Sequence, residues 1–211
     1  MTDYNNGKFI TVEGIEGVGK TTNIAFIQNF LLEKGVHLTV TREPGGTEIA
    51  EQIRELLLAH HKEALNEDAE LLLVFAARAQ HLNQLIKPVL AKGEWVLCDR
   101  FTDATFAYQG AGRGLSTQRI AQLEQWVQGD LRPDLTLVLD VPVELGMSRV
   151  KKRGAQDRFE REQHSFFERV RQCYLERAER EPERIRVVDA GSELTKVQAE
   201  IAEVLTEKFF L

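Results

Sequence analysis

The chain has 211 residues, 43% of them hydrophobic and 28% charged, the composition of one soluble domain large enough to bury a core. A net charge of −6 removes the global electrostatic case for long nucleic acid, while a small anion needs only a local basic pocket. No apolar run approaches the roughly 20 residues of a membrane span, and the polar stretch Met1 to Lys8 reads as no secretory signal, so a cytoplasmic protein without a membrane partner is expected.

Phe9-Ile10-Thr11-Val12 is the first predicted strand, and Leu38-Thr39-Val40 the second. Asn66 then reads as the N-cap of the longest helical pattern, Glu67 to Leu90, with Glu67 and Asp68 placed to favour the positive end of its dipole. Within it, Leu71 to Ala77 is apolar on nearly every side, which predicts a helix that is buried or shared with a second subunit. Further strands are predicted at Trp95-Val96-Leu97-Cys98, Leu135 to Leu139 and Ile185 to Val188. These runs are nearly unbroken rather than alternating, as strands covered on both faces require. Alternation of such runs with helical patterns predicts an α/β fold: a five-stranded parallel sheet with helices on both faces. No repeat or linker interrupts the chain, so residues 1–211 read as one domain. Cys98 and Cys173 have no metal-ligand spacing and read as buried free thiols.

Gly14-Ile15-Glu16-Gly17-Val18-Gly19-Lys20-Thr21 matches G-x-x-x-x-G-K-[ST], followed by Thr22. The motif sits after a predicted strand and opens a helical pattern, the context that gives it physical meaning. Its glycines let backbone N–H groups turn inward around phosphate oxygens, and the helix N-terminus adds partial positive charge. Lys20 would reach the β- and γ-phosphates of ATP, and the Thr21 hydroxyl would ligate Mg²⁺. The motif marks a nucleoside-triphosphate site and is silent on the acceptor.

Arg54, Arg78 and Arg100 lie in or just after apolar segments, and the planar donor fork of arginine suits phosphates and base edges. Asp99 and Arg100 end a predicted buried strand, where ligands of open α/β sheets bind. Thr41-Arg42-Glu43-Pro44-Gly45-Gly46-Thr47, Ile53-Arg54, Asp99-Arg100-Phe101, Ala107-Tyr108-Gln109-Gly110 and Arg132-Pro133-Asp134-Leu135-Thr136 occur in this order. Together they resemble bacterial thymidylate kinases, a family of P-loop nucleoside-monophosphate kinases. The resemblance runs from the first strand to the region near Arg158. It implies a P-loop kinase fold with a mobile lid at about 149–163, and transfer of the γ-phosphoryl of ATP to dTMP, giving dTDP and ADP for dTTP synthesis. It further implies that Arg54 and Arg100 hold the dTMP phosphate, and that Arg78, Thr105 and Gln109 face thymine. Glu43, Val74 and Tyr108 complete that pocket. Glu16 would face the deoxyribose 3′-hydroxyl or the metal, and a homodimer is implied.

Two positions depart from the family pattern. Val74 stands where a phenylalanine usually stacks on the base; Phe75 is rotated about 100° from it on a helix. Ala104 replaces a serine before Thr105. Both touch the base pocket and neither touches the phosphate chemistry.

The run Arg149 to Gln163 is dense in mixed charge and falls after a strand and a helix, where such kinases carry their lid. Some relatives place an arginine within the phosphate loop; here that position is Gly17. Arg153 aligns with the alternative, a lid arginine, while Arg149 and Arg158 are further candidates for ATP phosphate contacts. The reaction needs no dedicated base, because a phosphomonoester with a second pKa near 6 is largely dianionic at pH 7. Positioning and charge neutralisation suffice. Lys20, Arg100 and Arg153, with Mg²⁺, would supply them, and Asp99 would orient Arg100 or a metal-bound water. A kinase for another nucleoside monophosphate and a non-catalytic nucleotide-binding protein are the competing readings.

Overall fold

The structure is a computed structural model that describes residues 7–153 and 157–211. Its centre is a five-stranded, wholly parallel sheet formed by β1 (Phe9–Glu13), β2 (Leu38–Arg42), β3 (Trp95–Asp99), β4 (Leu135–Asp140) and β5 (Ile185–Asp189). The spatial order is β2-β3-β1-β4-β5. Each strand starts where the apolar run starts and extends one or two residues past it, to an acidic or basic end: Glu13, Arg42, Asp99, Asp140 and Asp189.

The unbroken apolar runs have the predicted cause. Trp95 and Leu97 of β3 enter the core on one face, while Val96 and Cys98 enter a second cluster with Phe9, Leu82, Ile86 and Phe101 on the other. The first face is covered by α1 (Lys20–Glu33), α8 (His164–Arg180) and α9 (Leu194–Phe209). Trp95 also meets Phe209 of α9 edge-on, with ring centroids 4.8 Å apart. Cys98 is buried as expected, whereas Cys173 is only partly buried. Burial pushes the Cys98 thiol well above its ordinary value and that of Cys173 up to about 11, which disfavours the thiolate at both.

The remaining helices are α2 (Glu48–Leu58), α3 (Glu67–His81), α4 (Lys87–Ala91), α5 (Thr102–Thr105), α6 (Thr117–Gln128) and α7 (Val143–Arg153). The side chain of Asn66 caps α3 by accepting from the backbone N–H groups of Asp68 and Ala69. The long helical pattern is interrupted by a π-helical turn over Leu82–Ile86 before it resumes as α4. A second π-helical segment, Phe106–Gly112, follows α5 and carries Tyr108 and Gln109. The run from 149 expected in the lid is, up to Arg153, the end of α7.

The register brings the carboxyl ends of the central strands level, with Val12 and Arg42 both opposite Asp99. The chain leaves β1 toward β2 and leaves β3 toward β4, in opposite directions across the sheet. Such a reversal opens a crevice at the strand ends.

Candidate active site

A cleft of about 690 Å³ occupies that crevice. The phosphate loop forms one wall. Gly19 takes a left-handed φ of 91° and delivers the chain into α1, whose N-terminal turn begins at Lys20. The Lys20 ammonium is held 3.3 Å from the carbonyls of both Gly14 and Ile15. Burial, together with the nearby Arg100, lowers its proton affinity below the usual lysine range. Glu16, Gly17, Gly19, Lys20, Thr21 and Thr22 all line the cleft, whereas the side chains of Ile15 and Val18 are buried in the core. Gly17 has φ 77°, and a Cβ there would run into the Gly146 carbonyl of α7. An arginine at this position of the loop is therefore excluded by packing.

Arg100 stands at the centre. Its backbone is left-handed, φ 69°, which turns the side chain from the end of β3 back across β1. Its guanidinium donates to the Gly14 carbonyl at 2.9 Å, to Glu16 at 2.9 Å and to the Tyr174 hydroxyl at 3.2 Å. It also lies over the Tyr108 ring, 4.6 Å from the centroid. Glu16 is thus occupied by Arg100 and by the Tyr108 hydroxyl at 2.8 Å. Beneath them Glu13 accepts from Tyr174 and from the Phe101 backbone, both at 2.7 Å. Burial pushes the Glu13 carboxyl up to about 7 against the opposing pull of Arg100. The neighbouring Asp99 has one carboxylate oxygen buried without a partner among the described residues.

The opposite wall holds the other predicted residues. Arg54 donates to the Pro44 carbonyl at 2.9 Å and lines the cleft. Val74, Arg78, Ala104, Thr105 and Gln109 line it as well. Phe75 does not: it is buried against Leu71, Phe106 and Ile120. Glu43, expected among the substrate ligands, has both oxygens engaged by protein, one by Arg78 at 2.7 Å and one by His81 at 3.0 Å. It holds Arg78. The Gln109 amide nitrogen is likewise committed, to Glu70 at 2.8 Å.

Arg149 lines the cleft beside the phosphate loop, 3.2 Å from the Gly17 carbonyl. Arg158 departs from expectation. Rather than facing the phosphates, it donates to the Leu57 carbonyl at 2.9 Å and pairs with buried Glu70 at 2.7 Å, because that carboxylate demands cations. The side chain of Arg153 and residues 154–156 lie outside the described residues. Sequence patterns gave no sign of Glu13, Glu70, His81, Phe159 or Tyr174, since each acquires its place through partners distant in the chain.

The family model described as thymidylate kinase matches residues 12–201. Thymidylate kinase of Ectopseudomonas mendocina is 62% identical over 199 residues, covering 94% of this chain and 95% of the relative. That of Pseudomonas syringae pv. syringae is 64% identical over 193 residues, 92% of each. Among solved structures, thymidylate kinase from Ehrlichia chaffeensis superposes with a TM-score of 0.78 at 36% identity, over 95% of this chain and 99% of that one.

Proposed function

The chain belongs to the thymidylate kinase family, whose reaction moves the γ-phosphoryl group of ATP onto dTMP, and from that premise we propose how the residues of its cleft divide the work. The observation that carries the reading is convergence: the phosphate loop and the acceptor-side arginines Arg54, Arg78 and Arg100 open into one cleft. Backbone N–H groups of the loop, the N-terminus of α1 and Lys20 hold the ATP phosphates. Arg54 and Arg100 hold the dTMP phosphate in line with them. Arg78, Thr105 and Gln109 read the thymine edge against the apolar surface of Val74. Glu16 keeps Arg100 and Tyr108 in place and accepts the deoxyribose 3′-hydroxyl.

Mg²⁺ fits the donor set: the unpartnered oxygen of Asp99 would take a metal-bound water and the exposed Thr21 hydroxyl would ligate the ion. When bound it neutralises charge on the triphosphate. The loop has no room for a side chain at Gly17, which supports a cation supplied instead by the lid, about residues 149–163 of this single domain, with Arg153 first and Arg149 second. Closure over the cleft excludes water, which otherwise takes the phosphoryl group. The protein is read as a cytoplasmic homodimer; among the described residues no helix is long and apolar enough to cross a membrane.

A coupled assay of ATP consumption across dTMP, dUMP, dCMP, dAMP and dGMP tests the reading. Turnover that requires dTMP is expected. Turnover with another monophosphate in preference to dTMP, or ATP binding with no turnover at all, overturns it.

A further inference from the structure

We propose that His81 is a positioning residue for base selection: acting through Glu43, it fixes the Arg78 guanidinium so that its one uncommitted nitrogen faces the base. This rests on the reading of Arg78 as a thymine-facing donor.

His81 sits at the last turn of α3, one helical turn after Arg78, and is fully buried. Its Nδ1 lies 3.0 Å from a Glu43 oxygen and its Nε2 lies 2.8 Å from the Thr41 hydroxyl. One neutral tautomer satisfies both contacts: Nδ1–H donates to the carboxylate and Nε2 accepts from Thr41. The other Glu43 oxygen accepts from Arg78 Nε at 2.7 Å. Arg78 Nη2 donates to Thr105 at 3.0 Å, and Arg78 Nη1 is buried without a partner among the described residues. The guanidinium is also held between the Phe75 and Phe101 rings, 4.9 and 5.0 Å from their centroids.

The result is a relay, Thr41–His81–Glu43–Arg78, that leaves one donor of this cleft-lining arginine without a partner among the described residues. The loop before α2 makes room for it. A Cβ on Gly46 would collide with both His81 Nε2 and the Thr41 hydroxyl, so the second glycine of the Pro44-Gly45-Gly46 turn is where the relay passes.

The chemistry of selection follows from the fixed donor. Thymine presents a carbonyl acceptor at C4, where cytosine presents an amino donor. A guanidinium nitrogen that cannot turn away meets the first and opposes the second, and a buried mispaired donor is costly. Without the Nδ1–H donor, one Glu43 oxygen is left unpaired in the interior. Glu43 then shifts to find a partner, and Arg78 shifts with it.

The test is the ratio of kcat/KM for dTMP to that for dCMP, measured on the same preparation of wild type, His81→Leu, His81→Asn and Arg78→Ala. Loss of folded protein lowers both rates together and leaves the ratio unchanged, so a merely structural role for His81 does not move it. In His81→Leu the ratio is expected to fall roughly tenfold or more, mainly through a higher KM for dTMP. His81→Asn keeps an N–H near the Nδ1 position and is expected to recover most of that loss. A wild-type ratio in His81→Leu beside a collapsed ratio in Arg78→Ala overturns the inference and leaves the reading of Arg78 intact. A wild-type ratio in Arg78→Ala overturns both. Should His81→Leu not fold, His81→Gln, which offers no donor at the Nδ1 position, carries the same expectation and the same failing outcome.

Discussion

Val74 and Phe75 show how much one residue of helical rotation decides. Phe75 belongs to the cluster under α6 with Leu71, Phe106 and Ile120, so it leaves Val74 alone on the wall of the cleft. Stacking of a base on an aromatic ring is worth on the order of 1–3 kcal/mol, and Val74 already supplies part of that contact. Val74→Phe is therefore expected to tighten dTMP binding by up to roughly tenfold, read by calorimetric titration. Unchanged or weaker binding would mean that Phe101, Tyr108 or Phe159, which also line the cleft, already occupies the space. Glu13 gives a second prediction at this scale. Its carboxyl rises from 4.5 to about 7 on folding because it is buried. A raised carboxyl contributes stability that is fully present below pH 4.5 and is lost as pH climbs through about 7. That loss is about 3 kcal/mol for a shift of this size. Urea unfolding at pH 5 and pH 8 should show Glu13→Gln losing less stability than wild type over the same interval. Parallel curves would show that Glu13 ionises in the folded protein as readily as in the unfolded one.

At the scale of elements, α7 and the segment leading into α8 hold the two ends of the proposed lid. α7 packs Gly146 against the phosphate loop and brings Arg149 and Val150 to the cleft, with Arg149 beside Gly17. The described residues beyond 156 make different contacts. Arg158 bonds to the C-terminal carbonyl end of α2 and to Glu70 of α3, and Arg113 links Glu70 to Glu162. Arg158 and Glu162, in the second half of the proposed lid, thus bond to the acceptor side of the cleft, while Arg149 in its first half lies beside the phosphate loop. Arg153 closes α7, and its proposed contact forms as the phosphoryl group transfers. Arg153→Ala is expected to lower kcat far more than it raises KM for dTMP, checked by steady-state kinetics with both substrates varied. Wild-type kcat in that variant would move the catalytic cation to Arg149.

For the whole molecule, both faces of the sheet are covered, yet the outer surface of α3 and α6 is not. Leu72 is 57% and Trp126 82% exposed, and with Leu71, Leu123 and Arg119 they border a recess of about 430 Å³. Large apolar side chains grouped on a surface mark an interface more often than a solvated face. This is the face expected to close the proposed homodimer. Wild type is expected to sediment at twice the chain mass, and a Leu72→Glu, Trp126→Glu double variant at the chain mass with kinase activity lowered or retained. A double variant that stays dimeric places the interface elsewhere.

Much of the architecture was legible in the chain because its causes are local. A strand buried on both faces must be apolar throughout, so Trp95 to Cys98 and Leu135 to Leu139 stand out as runs. A phosphate loop needs its glycines, lysine and threonine at fixed spacing, so Gly14 to Thr21 is visible without any fold. Arg54, Arg78 and Arg100 could be singled out, and all three meet in the cleft. Only the tertiary structure decided what each polar group does there. It made Glu43 the support of Arg78, drew Arg158 to Glu70 and set Tyr174 between Glu13 and Arg100. The physical reason is that a buried charge must find its partner wherever packing brings one, across 35 residues for Glu43 and Arg78 and 161 for Glu13 and Tyr174. Periodicity and motif spacing record which surfaces a segment buries, and they carry no trace of which distant side chain will meet it there.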